Sequence, residues 1–341
     1  WHFQTVHHDL WDYDLAAPPA LVTVRREGRA IDAVAQATKT GLVFVLDRET
    51  GVPLFPVEER SVPKSDIPGE ESWPTQPFPT KPPPLVPLEL GEGDLWDADP
   101  AHLERCRARF RSVRNRGVFT PPSTDWTILY PSTVGGVNWS GGAYDPKSAV
   151  WFVPTNNVVH LVRLDPLPPE NFDKTEGIVL RNSLSALRWV LWRTGTGLRY
   201  GQLRDVLEEG GRPCVKPPWG MLHAVDLETG EIRWRTPIGR DQAGNRGLVN
   251  LGPPLVTAGG LVFHGGTTEQ LLRAYDAATG AELAAFELPA GLHAGPISYE
   301  AGGRQLLVVA PGGHARLGSK LGDFVIAYAL PAGRTASRSS R

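Results

Sequence analysis

The stretch WHFQTVHHDLWDYD, residues 1–14, gathers three carboxylates (Asp9, Asp12, Asp14), adjacent His7 and His8, and the aromatic side chains of Trp1, Phe3, Trp11 and Tyr13. A carboxylate walled by aromatic rings is partly desolvated. That disfavours its charged form, raises its pKa and makes it a better acceptor of a substrate proton. The same spacing also fits an Asx turn, in which the carboxylate accepts from its own backbone, and spacing by itself leans toward that structural role. Ahead of the turn, Phe3, Thr5 and His7 alternate with Gln4 and Val6 as in a strand.

Other polar residues stand in settings whose plain reading is structural. Lys39 lies in ATKTG after a strand-like run, and an exposed turn is the usual place for a lysine. Asn156, in PTNN after 150–153, reads as a turn residue. Gly252 beside Leu251 (LGPP) and Gly313 (PGGH) would let backbone approach a flat ring closely. His8 and His314 are isolated histidines, which more often serve structure than chemistry. Trp219, in PPWG, fits packing between sheets better than contact with a ligand.

These residues need a scaffold, and composition limits the choice. A chain of 341 residues can form one large all-β domain or two ordinary ones, and 41% hydrophobic content with 11 Trp supports a sizeable core. Lys and Arg number 35 against 37 Asp and Glu, a net charge of −2 that gives no reason to invoke a nucleic-acid partner. The 37 glycines and 32 prolines fit many short strands joined by turns. The longest uncharged apolar stretch, 249–266, is broken by Gly and Pro and does not read as a membrane span. Cys106 and Cys214 match no metal-ligand spacing.

A repeated unit supplies the strands. VFVLDRETGVPLF (43–55), LHAVDLETGEIRW (222–234) and LRAYDAATGAELAAF (272–286) each read as strand, Asp, Thr-Gly turn, strand. The Asp bonds its own backbone, Gly takes positive φ, and the aromatic residue four places on packs between sheets. In the third copy Ala285 or Phe286 takes that place. Trp1 resembles the closing Trp of a further copy, and 141–155 and 297–310 read as strand pairs of other units. Asp226 and Asp276 lie one four-stranded blade apart, roughly forty to fifty residues. Two excursions interrupt the repeats. Residues 52–131 are Pro-rich and hold one helix, capped by Asp99, with Pro100 first and Gly117 after its end; Leu103, Cys106, Phe110 and Val113 share its apolar face. Its Arg105, Arg107, Arg109 and Arg111 read as a solvated face. Residues 167–213 contain SLSALRWVLW (183–192), a short helix whose Trp189, Val190 and Trp192 pack on the sheets or form a lid.

HHDLWD, ATKTGLVFVLDRETG, PTQPFPTKPPP, GVFTPPS, PWGMLHAVDLETG and GGHARLGSKLGDFVIAYALP together resemble the quinoprotein dehydrogenases that use pyrroloquinoline quinone. The likeness covers most of the chain and is greater to the membrane-bound glucose and quinate branch than to the methanol branch. It implies an all-β, tryptophan-docked propeller of eight blades, of which about four or five units are represented in residues 1–331, with 332–341 a disordered basic tail. The chain then reads as the C-terminal portion of a longer protein, and the last strand as part of a blade closed by both chain ends.

The resemblance further implies that Asp12 is the general base and that Lys39, Asn156, Leu251, Gly252 and Gly313 contact the cofactor. His8 and His314 fall at the substrate mouth. Ca²⁺ or Mg²⁺ would be held by residues upstream of this chain. Cys106 and Cys214 coincide with positions where the glucose branch carries cysteines, compatible with a disulfide in an oxidising compartment and equally with two buried thiols. The expected activity is oxidation of a sugar or cyclic polyol in the periplasm, with electrons passed to a membrane quinone and any membrane anchor in the upstream part. The alternatives are a soluble quinoprotein acting on simple alcohols and a non-catalytic propeller scaffold. The scaffold would need the D-x-x-T-G repeat but not HHDLWD, ATKTG or GGHARLGSKLGD.

Overall fold

The computed structural model describes residues 1–97, 99–166 and 200–330. Strands β1 (Ala20–Arg26), β2 (Arg29–Ala37) and β3 (Val43–Asp47) form an antiparallel meander. A two-stranded ribbon follows, β4 (Val57–Ser61) with β5 (Thr75–Pro79), then helix α1 (Pro100–Arg111) and β6 (Thr127–Leu129). Next come β7 (Ala143–Asp145), β8 (Val150–Asn156), β9 (His160–Pro166), β10 (Tyr200–Val206), and the short pair β11 (Glu208–Glu209) and β12 (Arg212–Pro213). The chain continues with β13 (Gly220–Asp226) and β14 (Glu231–Pro237). A four-stranded meander of β15 (Leu255–Val256), β16 (Leu261–His264), β17 (Leu271–Asp276) and β18 (Glu282–Glu287) precedes the last sheet, β19 (Ile297–Ala301), β20 (Arg304–Val309) and β21 (Ile326–Ala329).

Four sheets stack face to face because their strands alternate apolar side chains between two cores. In β8, Trp151 and Val153 join Val43 and Val45 of the first meander and Phe55 beyond it, while Val150 and Phe152 join Leu222, Val262 and Tyr275 toward the third. Both sets are buried, so β8 reads as an unbroken hydrophobic run. Leu272, Leu292 and Val309 make the next core, with Phe263 and Tyr328 packed against it.

The repeat motif locks these pages together. Asp47 Oδ1 accepts from Glu49 N (2.9 Å), Thr50 N (2.8 Å) and Thr50 Oγ1 (2.9 Å), and Asp276 repeats this with Ala278 and Thr279. The Thr50 N–H first at Asp47, and the Thr279 hydroxyl first at Asp276, hold both carboxyls below the usual range. Gly51 (φ 75°) and Gly280 (φ 72°) each face a tryptophan so closely that a Cβ there would lie 2.5 Å from the ring of Trp1 or Trp234. Each indole then donates to a carbonyl three residues before that glycine, Trp1 Nε1 to Arg48 O and Trp234 Nε1 to Ala277 O, both at 3.0 Å. Phe55 meets Gly230 in the same way. In the third copy Phe286 lies 5.8 Å from the Tyr328 ring instead. A degenerate fourth turn, DPKSA, puts Ala149 at φ 54°.

Several expectations need correction. Residues 3–7 form no strand: the segment is held by a side chain, with His7 N donating to Gln76 Oε1 (2.8 Å) and Gln76 Nε2 to His7 O (2.7 Å). The pair at 141–155 does not belong to a separate unit. It shares one sheet with the 222–234 copy, in the order β14-β13-β8-β7, so the second excursion is inserted between neighbouring strands of a single sheet. Residues 200–213, expected as loop, supply β10, β11 and β12, with β10 pairing β9 in a sheet completed by β6. Asp99 accepts from Ala101 N and His102 N and Pro100 opens the helix, but α1 stops at Arg111 with Ser112 as its cap, well before Gly117. The arginine face is ion-paired: Arg107 and Arg111 reach Glu92, and Arg109 reaches Asp205. Trp219 packs on Trp96 (5.5 Å) and donates to Val215 O. The expected helix at 183–192, with Trp189, Val190 and Trp192, and the tail at 332–341 lie outside the described residues.

Cys106 and Cys214 form a disulfide across 108 residues, with Cα atoms 5.4 Å apart, tying α1 to the strand end after β12. Two outcomes follow from these contacts. Gly280→Ala, which combines positive φ with a ring collision, should lower stability by about 1–3 kcal/mol in urea unfolding. Cys214→Ser should cost about 3–5 kcal/mol by restoring freedom to the unfolded chain; matching this variant by reducing the wild type would check it.

Candidate active site

Asp9, not Asp12, makes the Asx turn: its Oδ1 accepts from Trp11 N at 2.9 Å. Trp11 and Tyr13 are then both driven into one core with Phe44, Phe78 and Phe119. Trp11 Nε1 donates to Thr120 O (2.9 Å), and the Tyr13 hydroxyl lies within hydrogen-bonding reach of Val118 O (3.1 Å) and Pro131 O (2.9 Å). Two anchored rings flanking one residue leave it a single way to face. Asp12 takes φ 67°, a left-handed conformation that few residue types other than Gly and Asn/Asp accept, and projects away from the core.

It projects toward Lys39. The TKTG turn between β2 and β3 is closed by Thr38 N to Leu42 O (3.1 Å) and Gly41 N to Thr38 O (2.9 Å), and the Lys39 side chain is buried. Its Nζ donates to Asp12 O (2.9 Å) and Asp14 Oδ1 (2.5 Å) and lies 3.6 Å from Asp12 Oδ1. An exposed turn lysine is therefore not what the chain builds. From the other side, Arg204 on β10 brings one guanidinium nitrogen to 3.5 Å from Asp12 Oδ2. Burial raises the Asp12 pKa above the ordinary value, and Lys39 and Arg204 pull against that rise.

A belt of backbone contacts carries the site across the sheets, at strand ends opposite the Asp–Gly turns. Gly136 N donates to Lys39 O (2.6 Å), and Asn156 N to Gly136 O (2.8 Å). Asn156 and Asn250 exchange bonds, Asn250 N to Asn156 Oδ1 and Asn156 Nδ2 to Asn250 O, both 2.8 Å. Leu251 N donates to Gly266 O (2.9 Å), Gly266 N to Leu292 O, and Gly313 N to Gly291 O (2.8 Å). A Cβ on Gly252 would stand 2.7 Å from Gly266 Cα, and one on Gly135 2.6 Å from Lys39 Cβ. Lys39, Asn156, Leu251, Gly252 and Gly313 are thus strung on one continuous path.

The histidines fit less well. His314 closes its own turn, its Nδ1 accepting from Leu317 N (3.3 Å) and its N–H donating to Ser319 Oγ (2.8 Å). His8 shares the Asp12 turn with φ 45°, but the anchored member of the pair is His7, 2.9 Å from Glu59. Arg204, Asn250 and Gly135 were missed. Only the pairing of distant strands places Arg204 over Asp12, whereas the double glycine at 135–136 was a readable sign of close backbone approach.

Stacked meanders joined by aromatic-on-glycine docking, with polar residues collected along one line of strand ends, define part of a tryptophan-docked β-propeller. The profile of the family described as PQQ, glucose/ethanol/alcohol dehydrogenase, beta-propeller domain, matches residues 1–307, and the chain belongs to that family. It is similar to the quinoprotein glucose dehydrogenase of Escherichia coli K12, with 35% identity over 97% of this chain and 42% of that protein. It is likewise similar to a probable quinate dehydrogenase (quinone) of Xanthomonas campestris pv. juglandis, at 38% identity over 97% of this chain and 43% of the relative. The chain therefore spans less than half the length of these curated relatives. In fold it matches the quinohemoprotein alcohol dehydrogenase of Comamonas testosteroni with a TM-score of 0.55 and 22% identity, over 96% of this chain and 40% of that one.

The residues present fit a planar, anionic quinone. Lys39 offers a buried cation, Gly252 and Gly266 pack on each other with no room for side chains, and Asn250 Oδ1 is a buried acceptor with no donor among the described residues, suited to a heterocycle N–H. Among the described residues, the one cluster of three close metal-ligating side chains is His102, Cys106 and Cys214, whose sulfurs are bonded to each other. Lys39 pulls the Asp12 pKa down, so Lys39→Gln should raise it further, and the Asp12 carboxyl should take up its proton at higher pH than in the wild type when followed by NMR titration.

Proposed function

We propose that the complete protein is a periplasmic quinoprotein dehydrogenase oxidising a sugar or cyclic polyol, with Asp12 as general base and a membrane quinone as final acceptor. The observation that carries this is the Asp12 carboxylate, turned out at positive φ between two anchored rings and facing a buried ammonium. The Asx turn is closed by Asp9, so the Asp12 carboxylate is not needed to build it. The names of the glucose and quinate relatives support the substrate class and the acceptor.

Asp12 removes the hydroxyl proton of the substrate carbinol; its raised pKa strengthens it as an acceptor, while Lys39 and Arg204 pull against that rise. Lys39 is paired with Asp14 and fixed in place by Asp12 O, so it meets developing negative charge without reorganising. Bound pyrroloquinoline quinone supplies the two-electron acceptor for the carbinol hydride, with Lys39, Asn156, Leu251, Gly252 and Gly313 holding it. Ca²⁺ or Mg²⁺, bound by residues outside this chain, belongs to the same proposal. Asp12→Asn in the full-length enzyme, loaded with cofactor and metal, should reduce dye-linked turnover about 10²–10⁴-fold while leaving thermal unfolding nearly unchanged. Near-normal turnover would remove the role of Asp12.

A further inference from the structure

Arg204 is held more elaborately than a neutralising charge requires. Its Nε donates to Gln202 Oε1 (2.8 Å), one terminal nitrogen lies 3.3 Å from Thr133 Oγ1, and the other lies 3.5 Å from Asp12 Oδ2. Thr133 is itself fixed by His160 Nδ1 at 2.9 Å, and burial first, then Arg204, drives the His160 pKa down to about 4, so that ring is neutral at neutral pH. The guanidinium is half exposed, and part of its donor fork has no partner among the described residues.

We infer that Arg204 selects substrates carrying a carboxylate close to the carbinol, so that the preferred substrate is a polyhydroxylated acid rather than a neutral sugar. This rests on the proposed function and specifies its substrate class. The argument is one of charge through the reaction. At rest, Asp12 is the only carboxylate that Arg204 meets among the described residues, whereas Lys39 also has Asp14. When Asp12 takes the hydroxyl proton it becomes neutral. Lys39 keeps a counter-ion and Arg204 loses its own. A substrate carboxylate on the fork replaces the lost charge as the proton moves, so the interaction strengthens toward the transition state and raises kcat/KM. A hydroxyl in its place recovers only part of this, because a carboxylate matches the fork with charge as well as geometry. The short reach from Asp12 Oδ2 to Arg204 puts the carboxylate about one or two carbons from the carbinol.

The test uses the full-length enzyme with pyrroloquinoline quinone and Ca²⁺, and compares quinate with its methyl ester, which keeps the ring and masks the charge. The wild type should favour quinate. In Arg204→Gln the quinate-to-ester ratio of kcat/KM should fall about 10- to 100-fold, with Arg204→Lys between. Two wild-type measurements need no variant: kcat/KM for quinate should fall with added salt more steeply than for the ester, and cyclohexanecarboxylate should compete where cyclohexanol does not. Equal losses on both compounds in Arg204→Gln would make Arg204 a partner of the base or cofactor only, and would overturn the inference. So would a wild type indifferent to the ester. Cofactor-dependent oxidation of glucose but not quinate would overturn it while sparing the proposed function. No cofactor-dependent oxidation of quinate, its ester or glucose would overturn both.

Discussion

An aromatic ring pressed against a glycine is the contact on which the rest of this chain depends. At Gly51, Gly230 and Gly280 the missing side chain is what lets Trp1, Phe55 and Trp234 approach, and at Gly51 and Gly280 the indole N–H ties the ring to the neighbouring turn. The Phe55 and Trp234 locks fix one sheet relative to the next, the Trp1 lock ties the N-terminal segment to the first meander, and the Asp–Gly turns that carry the locks all lie on one side of the stack. The opposite strand ends are thereby held within bonding distance of each other. The path from Lys39 through Asn156 and Gly252 to Gly313 exists only because the sheets cannot slide.

The polar centre is a balance of opposed effects. Burial of Lys39 would be costly alone, and Asp12 O, Asp12 and Asp14 offset that cost. Asp12 in turn is raised by desolvation and by its neighbours Asp14 and Asp9, and lowered by two cations, so its proton affinity is set by competition and not by any single neighbour. The backbone contributes as well: the left-handed conformation at Asp12 follows from anchoring the residues on both sides, which separates a carboxylate from its aromatic walls without leaving it loose.

Much of this was legible in the residues. The D-x-x-T-G turns, the positive-φ glycines, the docking aromatics and the Asp99 cap follow from local chemistry, and local chemistry acts over a few positions. Lys39 was legible only through resemblance, since a turn lysine read by propensity belongs in water. The failures share one cause. Strand pairing across an insertion decides that 141–155 and 222–234 form one sheet, that β10 joins β9, and that Arg204 overlooks Asp12, and no window of sequence contains both partners. The alternation at residues 3–7 misled because Gln76 satisfies the backbone of His7 in place of a neighbouring strand. The cysteines were undecided for the same reason, their separation of 108 residues carrying no geometric information.

The break in the second sheet has a further consequence. β8 and β13 are hydrogen-bonded neighbours from Asn156↔Gly220 to Val150↔Asp226, yet β9, β10, β11 and β12 come between them in the chain. Closing a longer or shorter loop between two already adjacent strands changes the entropy of folding only slowly with length. The strand carrying Arg204 lies in that detour, while the turn carrying Lys39 and the segment carrying Asp12 do not. On the roles proposed above, recognition and proton chemistry sit on different stretches of chain, stitched together where Val162 of the detour enters the core that anchors Trp11 and Tyr13 and where Cys214 bonds Cys106.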